Sequence, residues 1–165
     1  MKRKTLILDI DETLLHSTYE KLERETDFMY KGRRVYLRPR LNEFLEFCFA
    51  NFEVGIWTSS KSDYAKKTLK FIVTDLSKFK FIWTRKKCTK TYKKNGFWEE
   101  VVYIKNLNCL SDFQIADFIM IDDTPSNIQP ADSNIIMISE YRGELDDTEL
   151  LEIIKKLKNE INKGV

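Results

Sequence analysis

The sequence predicts an α/β fold: an open, mostly parallel sheet with helices on both faces and a small inserted β-hairpin. Two observations carry that expectation. Short apolar runs alternate with longer amphipathic stretches along the chain, the strand-then-helix pattern of a parallel sheet covered on both sides. The first run, Leu6, Ile7 and Leu8, reads as a buried strand and stops at two carboxylates, Asp9 and Asp11, where an open α/β sheet binds its ligands.

The elements follow in order. Strands are expected at 6–9, 54–57, 79–83, 118–121 and 135–138. Residues 28–30 and 35–37 flank Lys31-Gly32-Arg33-Arg34 and predict the hairpin. Leu41, Phe44, Leu45 and Cys48 recur at helical spacing after Arg38-Pro39. Tyr64, Thr68, Leu69 and Ile72 do so after Thr58-Ser59-Ser60, with Ser60 read as a helix cap. The last helix, 147–161, lines up Leu150, Ile153, Ile154, Leu157 and Ile161 on one face. No repeat, low-complexity block or linker interrupts the chain, so residues 1–165 are expected to form a single catalytic domain.

Composition excludes several classes. A hydrophobic content of 42%, a charged content of 33% and a net charge of +2 are those of an ordinary globular protein, too nearly neutral to require nucleic acid or a membrane. The start MKRKTLILDID is too short in apolar residues for a signal peptide, and nothing approaches the roughly 20 apolar residues of a membrane span. Cys48, Cys88 and Cys109 are isolated and the chain has one histidine, which argues against structural zinc and for a reducing, intracellular setting. None of the five glycines builds a phosphate loop, against a nucleoside-triphosphate enzyme. His16 lacks a nucleophile to serve and is read as a packing or supporting residue.

Asp122 and Asp123 end a second apolar run, FIMIDD, so a parallel sheet brings two acidic pairs to one edge. Ile56-Trp57-Thr58-Ser59 delivers hydroxyls to the same edge. Like charges this close need a cation, and carboxylate oxygens from two strand ends suit Mg²⁺.

Asp9-Ile10-Asp11-Glu12-Thr13, followed by Leu14-Leu15-His16-Ser17, resembles the DxDxT motif of haloacid dehalogenase-type phosphatases, in the variant of the CTD phosphatase branch that includes the small CTD phosphatases. Further stretches match that branch in order: Arg38-Pro39 with Glu43-Phe44-Leu45; Trp57-Thr58-Ser59-Ser60 with Tyr64-Ala65; Arg85 with Cys88; Tyr103-Ile104-Lys105-Asn106-Leu107; Ile121-Asp122-Asp123-Thr124-Pro125; and Asp147-Thr148-Glu149-Leu150. The resemblance implies a haloacid dehalogenase-like Rossmannoid fold and a Mg²⁺-dependent phosphoserine/phosphothreonine protein phosphatase. By the same resemblance Asp9 is the nucleophile that becomes an aspartyl-phosphate, and Asp11 is the general acid and then base. Asp11 would lend its carbonyl to the metal, and Asp122 and Asp123 would join Asp9 in holding it. Thr58 and Lys105 would hold phosphoryl oxygens, with Ser59 and Arg85 near the substrate phosphate. The two aspartates can divide this labour only if the backbone turns sharply after the strand, because i and i+2 side chains of a strand share a face.

In that branch an aromatic pocket receives a proline beside the phosphoserine, and Tyr19, Phe28, Tyr30 and Tyr64 are the matching candidates for a Ser-Pro-rich segment such as the RNA polymerase II tail. The implied partner is a phosphorylated protein or peptide, with nucleic acid disfavoured, no membrane, and the chain a monomer in the nucleus or cytoplasm. A small phosphometabolite, a nucleic-acid 3′-phosphate, or a non-catalytic binding role are the alternatives. Three departures stand out. Residues 84–100, TRKKCTKTYKKNGFWEE, are longer and more basic than the family pattern and read by default as a solvated loop, or more sharply as a dock for an acidic or phosphorylated polymer. Asp-Asp-Thr-Pro replaces Asp-Asn-Ser-Pro, adding a negative charge that should strengthen metal binding. The chain holds only the catalytic region, so the expectation is that targeting comes from elsewhere or that the chain is a fragment.

Overall fold

The computed structural model describes residues 3–115, 117–132 and 134–163. In chain order these form β1 (Thr5–Leu8), β2 (Leu15–Thr18), β3 (Phe28–Tyr30), β4 (Arg33–Leu37), α1 (Leu41–Asn51), β5 (Glu53–Trp57), α2 (Ser62–Ile72) and β6 (Phe81–Trp83). They continue with β7 (Thr89–Asn95), β8 (Trp98–Asn106), α3 (Cys109–Asp112), β9 (Phe118–Asp122), β10 (Ile128–Gln129), β11 (Ile135–Met137) and α4 (Glu149–Lys163).

The central sheet has the order β11-β9-β1-β5-β6, with every pairing parallel. From β1 the chain builds outward to β5 and β6, then returns to β9 on the other side of β1. That reversal lies between β1 and β9, and a crevice opens there at the carboxyl ends of the strands. The pleat divides the core in two. Leu6, Leu8, Val54, Ile56, Ile119 and Ile121 face Phe44 and Leu45 of α1, Leu69 of α2 and Leu150, Ile153 and Leu157 of α4. Ile7, Trp57 and Met120 point the other way and are covered by Leu110 of α3 with Leu107, Ile115 and Ile128. Both faces are therefore covered, as expected, the second by a short helix and its flanking segments. Among the described residues no helix is long and apolar enough to cross a membrane.

The expected hairpin is present as β3 and β4, and β2 joins it to make a three-stranded antiparallel sheet. Residues 84–100 depart from the loop reading. After a short turn at 85–87 they form β7 and most of β8, paired antiparallel from Thr89↔Ile104 to Asn95↔Trp98. Thr, Tyr, Val and Trp suit a pleated surface, and Lys93↔Glu100 and Lys94↔Glu99 set opposite charges across the strands. Gly96, at φ +63°, makes the two-residue turn with Phe97.

Candidate active site

Register sets the geometry. Leu8 pairs with Ile121 on one side and Ile56 on the other, so the residues just beyond, Asp9, Asp122 and the segment from Thr58, emerge side by side. The Asp9 amide continues the ladder to the Ile121 carbonyl at 3.1 Å, fixing the backbone of the first acid. The chain then folds over: Leu14 N–H reaches the Ile10 carbonyl at 2.8 Å, Glu12 N–H reaches Leu15 at 2.8 Å, and Glu12 takes a left-handed φ of 59°. This is the sharp turn that the spacing demands. It sends the two aspartates to different partners.

Asp9 Oδ1 accepts from Lys105 Nζ at 2.5 Å, and the same ammonium donates to Asp122 Oδ2 at 2.5 Å. All three side chains are buried. Burial pushes the Asp9 carboxyl well above its ordinary range; Lys105 opposes the rise, and Asp122 and Asp11 add to it. For Lys105, burial alone would favour the neutral amine, but Asp9 and Asp122 outweigh it and the net direction is up. Lys105 is thus held as an ammonium, and the rise at Asp9 comes first from its burial, with Asp122 and Asp11 working against the lysine. Asp123 is also raised, by burial first, against hydrogen bonds from Thr124 and Thr13. Its two oxygens accept from Thr13 Oγ1 at 3.1 Å and Thr124 Oγ1 at 2.8 Å, while the Thr124 amide donates to Asp122 Oδ1 at 2.8 Å.

Asp9, Asp122 and Asp123 each present an oxygen within 4.8 Å of the others. Three hard carboxylate oxygens on rigid strand ends, in excess of the available positive charge, fit a divalent cation. The Asp11 carboxylate stands outside this trio. It accepts from Ser60 Oγ at 2.6 Å and from Tyr64 OH at 2.7 Å. Burial and the neighbouring Asp11 push the Tyr64 phenol upward, so it remains a donor. Ser60 does not cap the helix as expected: its hydroxyl goes to Asp11, and α2 starts at Ser62 after an N-cap residue, Lys61, that makes no side-chain cap bond.

The other expected residues divide. Ser59 lines the cleft with Asp9, Asp11, Tyr103, Lys105 and Asn127. Thr58 is fully buried, and its Oγ1 accepts from the Ser60 amide at 3.0 Å, shaping the loop. Arg85 lies behind that loop, donating to the Ser59 carbonyl at 2.7 Å and stacking 4.4 Å over Tyr103. Of the four aromatics, Tyr64 touches Asp11, and Tyr30 stands edge-on to Tyr64 at 5.2 Å with its hydroxyl on Asp63. None of the four lines the cleft itself, and the other two lie away from Asp11's partners: Phe28 packs on Phe71 at 4.2 Å, and Tyr19 is 65% exposed beneath Arg33. His16 is a supporting residue, its Nδ1 2.7 Å from Glu12.

Sequence reasoning missed Arg38 as the clamp of the turn. Its buried guanidinium meets both Asp147 oxygens at 2.8 Å and donates to the Thr13 carbonyl at 3.1 Å and the Ser139 carbonyl at 2.9 Å. The pairing of a lone Arg-Pro with an acid more than a hundred residues on leaves no local signal. Thr13 and Thr124 were legible only as parts of motifs.

The cleft has a volume of about 180 Å³. It opens to solvent, and its lining places Lys105 and the three carboxylates where a phosphoryl group and an ion would meet.

Residues 4–164 match the model of the NLI interacting factor-like phosphatase family. Among curated proteins, the chain is similar to phosphatase PSR1 of Saccharomyces cerevisiae, 34% identical over 95% of this chain and 36% of that protein. It is also similar to a probable C-terminal domain small phosphatase of Dictyostelium discoideum, at 30% identity over 93% of this chain and 49% of that one. CTD nuclear envelope phosphatase 1B of Danio rerio is 27% identical over 95% of this chain and 66% of its own length. The chain thus spans between about a third and two thirds of these relatives. Among solved structures, the RNA polymerase II CTD phosphatase Fcp1 of fission yeast superposes with a TM-score of 0.62 at 18% identity, over 97% of this chain and 51% of that one, a likeness of fold.

Proposed function

The chain belongs to the NLI interacting factor-like phosphatase family, and from that premise we propose a Mg²⁺-dependent phosphoserine/phosphothreonine protein phosphatase working through an aspartyl-phosphate at Asp9. The carrying observation is the separation of the two aspartates. Asp9 lies against Lys105 at the floor of the cleft, while Asp11 is turned aside and held by Ser60 and Tyr64.

An Asp9 oxygen attacks phosphorus as the bond to the serine oxygen breaks, and Asp11 delivers its proton to that leaving oxygen. The hydroxyls of Ser60 and Tyr64 donate to Asp11 when it is ionised, and either can accept from it when it is protonated, so its direction survives both states. In the second step Asp11 takes a proton from water as the water oxygen attacks phosphorus and the Asp9–phosphorus bond breaks, which restores Asp9 and frees phosphate. Lys105 and the Thr58-Ser59 loop hold the phosphoryl oxygens, and Arg85 fixes that loop through the Ser59 carbonyl. Asp9, Asp122 and Asp123, with the Asp11 carbonyl, would hold Mg²⁺, which when bound supplies charge stabilisation at the phosphoryl group.

The cleft is open to solvent, so a phosphoryl group can reach Asp9 while the body of its substrate lies outside, as a polypeptide requires. Several relatives carry CTD phosphatase in their names, and a Ser-Pro-rich segment of that kind is the favoured substrate. An intracellular setting, nuclear or cytoplasmic, suits Cys48, Cys88 and Cys109, which are all free thiols. The test is phosphate release with and without Mg²⁺ from an aryl phosphate, a phosphoserine-proline peptide, a phosphotyrosine peptide and a 3′-phosphorylated oligonucleotide. Preference for the phosphoserine-proline peptide, lost in Asp9→Asn, is expected; turnover of the oligonucleotide alone would overturn the substrate assignment.

A further inference from the structure

The β7–β8 hairpin leads directly out of the cleft. Lys105 is its innermost residue, bonded to Asp9, and the antiparallel register sets which side chains share the Lys105 face. Along β8 these are Tyr103, Val101 and Glu99, and opposite them on β7 stand Lys90, Tyr92 and Lys94. Tyr103 lines the cleft under Arg85. Lys90 lies 5.2 Å over the Tyr92 ring, joining the first two rungs into a basic and aromatic surface. Tyr92 is 56% exposed and Val101 42%, and Lys90 and Lys94 are exposed as well.

The charge is concentrated here. Residues 84–100 hold six lysines and arginines against two glutamates, a surplus of four, whereas the whole chain has a net charge of only +2. Everything outside this segment is therefore net acidic. On the track itself Lys90 and Lys94 stand against Glu99, which faces Lys94 across the strands, a surplus of one, and Lys86 and Lys87, also exposed, directly precede β7. A net positive surface running from the cleft, on a chain that is negative elsewhere, selects for negative charge next to the phosphorylated residue.

We infer that this face of the β7–β8 hairpin is a docking track for acidic or already phosphorylated residues of the substrate polypeptide, close in sequence to the phosphoserine in the cleft. The inference rests on the proposed reading of that cleft. Strand rise sets the spacing: at about 3.3 Å per residue the Lys90 rung lies roughly 7 Å from Lys105, the Tyr92 rung roughly 13 Å and the Lys94 rung roughly 20 Å. An extended peptide covers these distances in about two, four and six residues. The reader of charge is thus expected to act two to six positions from the phosphoserine. Tyr92 offers a ring to apolar or proline residues between them.

The test is binding, measured apart from turnover. Fluorescent peptides carry a non-hydrolysable phosphonate in place of phosphoserine, with glutamates two to six residues before it, the same run after it, or glutamines at both places. Anisotropy with the full chain should give about 10-fold tighter binding for one acidic peptide at roughly 50 mM salt, the sum of a few exposed charge pairs. The ratio should collapse toward one at high salt and in Lys90→Gln/Tyr92→Ser/Lys94→Gln. Aryl phosphate turnover by that variant should match the wild type. Equal binding of acidic and neutral peptides, or a preference the triple variant retains, would overturn the inference. So would oligonucleotides outcompeting the acidic peptides. Loss of aryl phosphate turnover in the wild type with charge-dependent binding intact would instead sink the catalytic reading alone.

Discussion

Replacing Arg38 by methionine removes the guanidinium that ties the catalytic turn to α4. The Arg38 side chain is 0% exposed and its partner Asp147 11%, so the substitution leaves a carboxylate buried without its counter-charge. Deleting one member of a buried, hydrogen-bonded pair costs about 3–5 kcal/mol. For a domain of this size each kcal/mol lowers Tm by about 2–4 °C, so a loss of about 4 kcal/mol corresponds to a fall of about 8–16 °C. Asp147 also accepts from the Glu149 amide at 3.1 Å at the start of α4, a cap that asparagine preserves. Arg38→Met/Asp147→Asn should therefore recover part of the loss, because it removes the orphaned charge and leaves the cap. Thermal unfolding of wild type, both single variants and the double variant completes the cycle. A fall of under about 3 °C for Arg38→Met, or strictly additive effects, would refute the clamp.

Ser60→Ala and Tyr64→Phe each remove one donor from Asp11; steady-state kinetics should show kcat down about 10-fold with KM little changed, because a proton donor has lost its direction. Asp63 joins the β3–β4 hairpin to α2 by accepting from Lys31 and Tyr30, which hold its carboxyl below the usual range. A depressed folded pKa stabilises above the unfolded value of about 3.9 and is lost as pH falls through the folded one. Urea unfolding should accordingly find Asp63→Asn less stable than wild type at neutral pH, with the difference shrinking as pH falls below the usual carboxylate range. A Cβ at Gly55 would lie 2.3 Å from the Phe81 ring, itself stacked on Trp83 at 4.3 Å, so Gly55→Ala should cost about 1–3 kcal/mol in the same assay.

The sheet was legible because its strands are short apolar runs whose ends are marked by acids and hydroxyls, and Asp9 and Asp122 are neighbours as that pattern requires. The long helices announced themselves by spacing. Local chemistry misled where a polar side chain had two plausible partners: Ser60 sits where a cap belongs, yet the Asp11 carboxylate from the turn after β1 outcompetes the backbone. The β7–β8 hairpin was hidden by its lysines, although Asn95-Gly96 between Tyr92 and Trp98 is a turn signal. Its register sets lysines opposite glutamates on the partner strand, a relation invisible along one strand. Phe28 and Tyr19 matched a pocket by position in the chain; the fold spends Phe28 on Phe71 and leaves Tyr19 under Arg33.

The proposed mechanism depends on Asp9 as the carrier of the phosphoryl group. Turnover of a phosphoserine-proline peptide, quenched with borohydride, would reduce an aspartyl-phosphate to homoserine, and peptide mapping by mass spectrometry would locate it. Conversion at Asp9 alone, absent without substrate, is the predicted result. Steady phosphate release with Asp9 unconverted, or conversion at Asp11 instead, would contradict the account.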